Sequence, residues 1–169
     1  MGVRVFLGLG SNLGDPERQV RRACRELESL PRSAFVSCSS LYRSHPLGPQ
    51  DQPDFVNAVA ELRTELDPES LLAELQRIEV SHGRVRGGQR WGPRPLDLDL
   101  LLFGDRVIRS ALLTLPHPGL SERAFVLYPL LEIAGPDLEI PGHGPLGPLA
   151  AACDPRGLEK LGQGARRLA

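Results

Sequence analysis

Five residues, Leu96-Asp97-Leu98-Asp99-Leu100, alternate strictly between apolar and acidic. An extended strand makes sense of that two-residue period: the leucines take one face and both carboxylates the other. Carboxylates held that close repel one another unless something neutralises them. The segment just upstream is rich in positive charge and has no acid. Arg84-Val85-Arg86-Gly87-Gly88-Gln89-Arg90-Trp91-Gly92-Pro93-Arg94 holds four arginines, three glycines and a proline. That composition predicts a loop and not a helix.

A divalent cation would neutralise the acid pair directly, and hard oxygen ligands suit magnesium. Guanidinium forks beside it would bind phosphate oxygens bidentately. Together they describe a site for a polyphosphate. An isolated Asp-x-Asp pair more often faces water on an ordinary half-exposed strand. Its position directly after an arginine-dense Gly/Pro loop shifts the balance towards a site. The arginine count itself carries less weight, because Lys160 is the only lysine and arginine serves as the general basic residue.

At 169 residues the chain is expected to form one catalytic domain, 1–169. Twenty basic against 21 acidic side chains leave a net charge of −1. No global field therefore points to nucleic acid or a membrane. Cys24, Cys38 and Cys153 show neither metal-ligand spacing nor a disulfide framework, and are expected to be buried thiols. No basic start followed by a long apolar run is seen, and no stretch reaches membrane-spanning length. A cytoplasmic location is the expectation.

Residues Val3 to Leu9 predict a buried strand, closed by a turn at Gly10-Ser11-Asn12-Leu13-Gly14. The spacing there is not that of a dinucleotide fingerprint, and the chain has no P-loop. Asp15-Pro16-Glu17 and Asp67-Pro68-Glu69 are two helix starts: an N-cap, a proline in the first turn and an acid near the positive dipole end. The first helix presents Val20, Ala23, Cys24, Leu27 and Leu30, and stops by Pro31. The second presents Leu71, Leu72, Leu75 and Ile78, and runs to about His82. Strands are expected at 35–42, 55–62 and 96–103, with a long loop from Arg43 to Pro53. Phe55 and Asn57 fall on one face of their strand. They suit a flat heterocycle, although a core aromatic and a turn asparagine is the simpler reading. Glu79 reads equally as a solvated helix charge or a site residue, and His117 as an incidental loop histidine or a phosphate donor.

Residues 121–134 are expected to be helical with an interruption near Pro129, and 135–169 to be a Pro/Gly-rich tail with a short helix at 148–153 and a frayed end. The order strand-helix-strand-strand-helix-strand is the split βαβ pattern of ferredoxin-like folds. With helices on one face of a mostly antiparallel sheet, the class is α+β.

Several motifs together resemble hydroxymethyl-dihydropterin pyrophosphokinases. They are Gly8-Leu9-Gly10-Ser11-Asn12-Leu13-Gly14, Pro46-Leu47-Gly48-Pro49-Gln50-Asp51-Gln52-Pro53, Phe55-Val56-Asn57-Ala58, Gln76-Arg77-Ile78-Glu79, Arg90-Trp91-Gly92-Pro93-Arg94, Leu96-Asp97-Leu98-Asp99 and Pro116-His117. They cover the chain to about Ala134. The resemblance implies transfer of pyrophosphate from ATP to a pterin alcohol in folate biosynthesis, giving AMP. It implies two magnesium ions held by Asp97 and Asp99, and catalytic roles for Arg84, Arg94, Asp97 and Asp99. Glu79, Arg84, Arg90, Arg94, Thr114, His117 and Arg123 would line the ATP site. Arg90 and Trp91 would belong to a mobile loop closing over both substrates. Phe55 and Phe125 would sandwich the pterin, with Asn57 reading its edge alongside backbone groups of Ser44, His45 and Leu47, and with Trp91 also in the pterin site. The chain would act on small molecules alone, as a monomer, without nucleic acid or membrane.

Three positions depart from that pattern. Pro118 replaces an aromatic, Leu112 replaces a basic residue, and Ser44-His45 replaces a threonine-proline pair. No general base stands out. The main alternative is a ferredoxin-like RNA- or nucleotide-binding module, which would want sheet aromatics and a basic face. Aromatics are only 5% here, and the acid pair would repel RNA. A metal-dependent nuclease or nucleotidyl transferase using the same aspartates would need a polynucleotide groove, against which the balanced charge speaks.

Overall fold

The computed structural model describes residues 2–45, 52–83 and 95–162. The first strand, β1 (Val3–Ser11), runs two residues into the expected turn. It does so because Gly10 pairs with Asn57 and Asp97, and Ser11 with Val56. Both Asp-Pro-Glu segments start helices. Asp15 caps α1 (Pro16–Leu27) by accepting from the Arg18 N–H, and Asp67 caps α2 (Pro68–Ser81) by accepting from the Ser70 N–H.

The strand expected at 35–42 is two strands, β2 (Ser33–Cys38) and β3 (Leu41–Ser44). Both lie along the same edge of β4 (Phe55–Thr64), β2 on its second half and β3 on its first. Between them the Ser39 N–H donates to the Val59 carbonyl at 2.8 Å. The Val59 N–H donates to the Ser39 hydroxyl at 2.9 Å. A side-chain oxygen thus replaces a backbone acceptor, and the ladder breaks there.

Next comes β5 (Asp97–Phe103), which pairs with β1. A small hairpin follows, β6 (Ile108–Arg109) with β7 (Thr114–Leu115), then a 3₁₀ turn at Leu120–Glu122. Helix α3 (Ala124–Ala134) continues through Pro129 without the expected interruption. Val126, Leu127, Pro129 and Leu130 are all buried, so packing holds the helix where propensity would break it.

The tail is more ordered than its composition suggested. It forms a second hairpin, β8 (Glu139–Ile140) with β9 (Gly144–Pro145), then α4 (Leu146–Ala151), two residues ahead of the expected helix. Its last strand, β10 (Glu159–Gly162), pairs with β3. The main sheet has the order β10-β3-β4-β1-β5, with β2 also on β4, and every pairing is antiparallel. The fold is α+β and ferredoxin-like.

Helices pack on both faces of the sheet, not one. Val5, Leu7 and Leu9 of β1, Val56, Ala58, Ala60 and Leu62 of β4, and Leu98 and Leu100 of β5 pack with α1 and α2. Each such fully buried leucine stabilises the fold by about 1.5–3 kcal/mol relative to an exposed one. On the other face Phe6, Val59, Leu101 and Leu102 pack with α3 and α4. Further along that second face lie Gly8, Gly10, Asn57, Asp97 and Asp99, by alternation and register.

Helix α3 is fastened to the β2–β3 break by Glu132. Its carboxylate accepts from the Ser40 N–H (3.0 Å), the Ser40 hydroxyl (2.8 Å) and the Tyr42 hydroxyl (2.6 Å). Burial alone would raise the Glu132 pKa, but these hydrogen bonds outweigh it and hold it below 4.5. Replacing Glu132 with alanine is expected to cost about 1–3 kcal/mol, because three donors lose their acceptor. A depressed carboxylate stabilises above its unfolded pKa and loses that contribution as pH falls through the folded one. The gap between wild type and variant in urea unfolding should therefore narrow below pH 4.5. A gap that stays constant with pH would show that the carboxylate charge has no part in it.

Candidate active site

One row of side chains crosses the second sheet face. Tyr42 pairs with Asn57, Asn57 with Gly10, and Gly10 with Asp97. Asn57 and Asp97 are thus two strand spacings apart, roughly 10 Å. Gly10 between them leaves a floor that a side chain would fill. A Cβ there would come within 3.0 Å of Asn57 Nδ2 and 3.8 Å of Phe55 Cδ1. Two residues along the strand, Asp99 is likewise opposite a glycine, Gly8.

Asp97 and Asp99 are both half-buried, while Leu98 between them is buried, as the alternation predicts. Glu79 is not a solvated helix charge. It is 5% exposed, and its Oε2 accepts from the Leu98 N–H at 2.8 Å. The last turn of α2 therefore grips the backbone midway between the two acids.

His117 Nε2 lies 3.9 Å from Asp99 Oδ2, too far for a hydrogen bond. The Gly119 N–H donates to His117 Nδ1 at 3.1 Å, so the neutral ring carries its proton on Nε2. Burial lowers the His117 pKa, the Arg123 charge lowers it further, and Asp97 acts the other way. The net direction is down from 6.5, so at neutral pH this is a neutral donor beside a carboxylate and not an ion pair.

At the far end of the row, the Ser44 hydroxyl donates to Asn57 Oδ1 at 2.6 Å in a buried position. That bond fixes the amide with its NH₂ towards Gly10. Ser44 was expected to act through its backbone, so this side-chain role is an addition. If Asn57 reads the edge of a pterin, as the resemblance implies, Ser44→Ala is expected to raise the KM for it about tenfold, the scale of one hydrogen bond, with little change in kcat. An unchanged KM would show that Asn57 needs no such support.

His45 is exposed, with Nδ1 3.1 Å from Asp54 Oδ1. Phe55 is half-buried at the start of β4, opposite Ser44. Arg123 stands at the N-terminus of α3, its guanidinium 5.7 Å from the ring centroid of Phe125. Phe125 belongs to the rim of the second core, on the same side of the sheet as Asn57. Thr114 is half-buried in β7, three residues before His117. Leu47, Arg84, Arg90, Trp91 and Arg94 lie outside the described residues.

Asn12 was not singled out by the sequence. It is 1% exposed, and its Nδ2 donates to Gln52 Oε1 (2.7 Å) and to the Pro53 carbonyl (3.1 Å). It ties the end of β1 to the chain entering β4. The signal was an asparagine just past a strand whose alternate residues are glycines.

The residues present fit magnesium. Among the described residues no group of three or more His, Cys, Asp or Glu is arranged to hold a metal. Two half-buried carboxylates opposite glycines suit an ion that takes its remaining oxygens from water and phosphate, as magnesium does.

The family description 7,8-dihydro-6-hydroxymethylpterin-pyrophosphokinase matches residues 6–135. A 2-amino-4-hydroxy-6-hydroxymethyldihydropteridine pyrophosphokinase of Pseudomonas aeruginosa is 51% identical over 158 residues, 94% of this chain and 96% of that protein. The enzyme of the same name from Haemophilus influenzae is 51% identical over 139 residues, 82% of this chain and 86% of that protein. The solved structure of Plasmodium falciparum wild-type HPPK-DHPS with pteroate shares the fold. Its TM-score is 0.68 at 14% identity, covering 88% of this chain and 42% of that one. This chain thus spans well under half of that longer protein. Acid pair, glycine floor and sequence kinship agree, and the chain belongs to the 7,8-dihydro-6-hydroxymethylpterin-pyrophosphokinase family.

Proposed function

We propose that the row from Asn57 through Gly10 to Asp97 is where this chain carries out its family's reaction. The reaction transfers pyrophosphate from ATP to the hydroxymethyl oxygen of 6-hydroxymethyl-7,8-dihydropterin, giving AMP and the pterin diphosphate, a step of folate biosynthesis. The observation that carries the assignment is the juxtaposition itself. An oriented amide beside an aromatic ring lies across one glycine strand from the acid pair.

The pterin lies over Gly10, read at its edge by the Asn57 amide and by backbone groups of Ser44, His45 and Leu47. Phe55 and Phe125 take its two faces. Asp97 and Asp99 hold the metal, two magnesium ions with ATP bound, and Glu79 keeps those carboxylates in place through the Leu98 N–H. Magnesium, when bound, supplies positive charge against the negative charge that builds on the phosphate oxygens. The hydroxymethyl oxygen attacks the β-phosphorus in line. An O–P bond forms, the bond from the β-phosphorus to the oxygen bridging it to the α-phosphorus breaks, AMP leaves with that oxygen, and the hydroxyl proton passes to solvent. Arg84, Arg94, Arg90 and Arg123 bind the triphosphate oxygens, and Trp91 contacts the pterin. His117 donates from Nε2, and Thr114 lies on the same wall. Most of the acceleration is positioning plus electrostatics.

The whole chain is one catalytic domain, acting as a monomer on small molecules. No helix among the described residues is long and apolar enough to cross a membrane. The RNA-binding alternative is disfavoured by the two carboxylates on the open part of the sheet. Incubation with ATP, magnesium and the pterin alcohol is expected to release one AMP per pterin diphosphate. AMP release that does not depend on the pterin would overturn the assignment.

A further inference from the structure

Two thiols far apart in sequence meet in the core. Cys24 is on the inner side of α1 and fully buried, and Cys38 ends β2 at 8% exposure. Their sulfurs are 2.8 Å apart. Both belong to the core that lies on the face opposite Asp97 and Asp99. The reaction proposed above uses neither of them. A disulfide bond is about 2.05 Å long, so roughly 0.8 Å of closure separates contact from bond. A side-chain torsion or a small slide of α1 supplies that much.

We infer that Cys24 and Cys38 are an oxidation site, forming an intramolecular disulfide on exposure to a peroxide. Cys38 carries the remaining exposure of the pair, and a peroxide is small enough to reach it. Its sulfur takes one oxygen, giving the sulfenic acid, and the rest of the peroxide leaves as water or alcohol. The Cys24 sulfur then attacks the Cys38 sulfur. The S–S bond forms, the S–O bond breaks, and the hydroxyl departs as water with the Cys24 proton. The two sulfurs are oxidised by two electrons in all, and the peroxide is reduced. The bond closes a short loop between α1 and β2, which limits the unfolded chain more than the folded one.

Cys153 is an internal control. It is only half-buried, and its thiol donates to the Glu122 carbonyl at 3.8 Å and not to another sulfur, so among the described residues it has no neighbour with which to close a bridge. The test treats the full chain with hydrogen peroxide, then alkylates under denaturing, non-reducing conditions and maps the peptides. The expected result is a loss of two mass units, a linked peptide pair joining Cys24 to Cys38, and one alkylated thiol at Cys153. The melting temperature should rise by roughly 5–10 °C and return on reduction. Cys38→Ser should show neither change. Three alkylated thiols after oxidation, a bridge that includes Cys153, or oxygen added to Cys24 or Cys38 without a bridge would each overturn the inference. The wild-type map decides the matter even if the variant does not fold.

Discussion

Replacing Asp97 with alanine is expected to lower turnover at least about 10³-fold, while the fold survives. Asp97 is half-buried, and its nearest acidic neighbour along the strand is Asp99 on the same face. Removing one of two like charges relieves part of that repulsion, so stability should change by about 1 kcal/mol, the ordinary scale of a point substitution. The loss must therefore be chemical. Asp97→Asn separates charge from shape: it keeps the volume and should be nearly as inactive. AMP release and a thermal melt on the same preparations are sufficient measurements. Turnover within tenfold of wild type in either variant would remove Asp97 from the metal site and with it the proposed mechanism.

The second large effect is expected at a residue that need not touch a substrate. Glu79→Ala leaves the buried Leu98 N–H without the acceptor now 2.8 Å away. That should cost about 1–3 kcal/mol of stability. Because Leu98 lies between the two acids, a backbone shift there moves both. A displacement of about 1 Å is worth roughly 10²-fold in rate. Glu79→Gln keeps an acceptor oxygen and should recover most of the stability. If Gln restores the melt but not turnover, the Glu79 charge itself is needed at the site. If Ala alters neither property, the grip of α2 on β5 is unimportant.

The parts of the fold that could be read in the sequence are those set by local physics. Asp15 and Asp67 sit as N-caps because the cap, the proline and the acid all act within one turn. The Leu-Asp alternation gave both carboxylates one face because pleat geometry permits nothing else. What was hidden depended on distant partners. The break at Ser39 comes from a hydroxyl that meets Val59 twenty residues away. Pro129 stays inside a helix because its neighbours are buried against the sheet. Glu79 could not be assigned from its helix position, since its acceptor role needs the Leu98 backbone. The helices at 121–134 and 148–153 were expected, but that they cover the second face was not, although the wholly apolar run after Asp99 in the strand at 96–103 was a sign of it. A register shift between Phe6 and Leu7 of β1 lets Leu101 and Leu102 both join the second core. At the site, the aspartates and the Phe55–Asn57 pair were legible as patterns. The Ser44 and Asn12 hydrogen bonds were not, because no periodicity marks them.

Strand β10 has a practical consequence for anyone shortening this protein. Its residues Glu159, Lys160 and Gly162 occupy the outer rim of β3. Cut the chain ahead of them, and a row of peptide donors and acceptors is left open to water. Exposed rims of that kind recruit strands from other molecules, so trimmed versions should clump, and they also lose Leu161 from the edge of the first core.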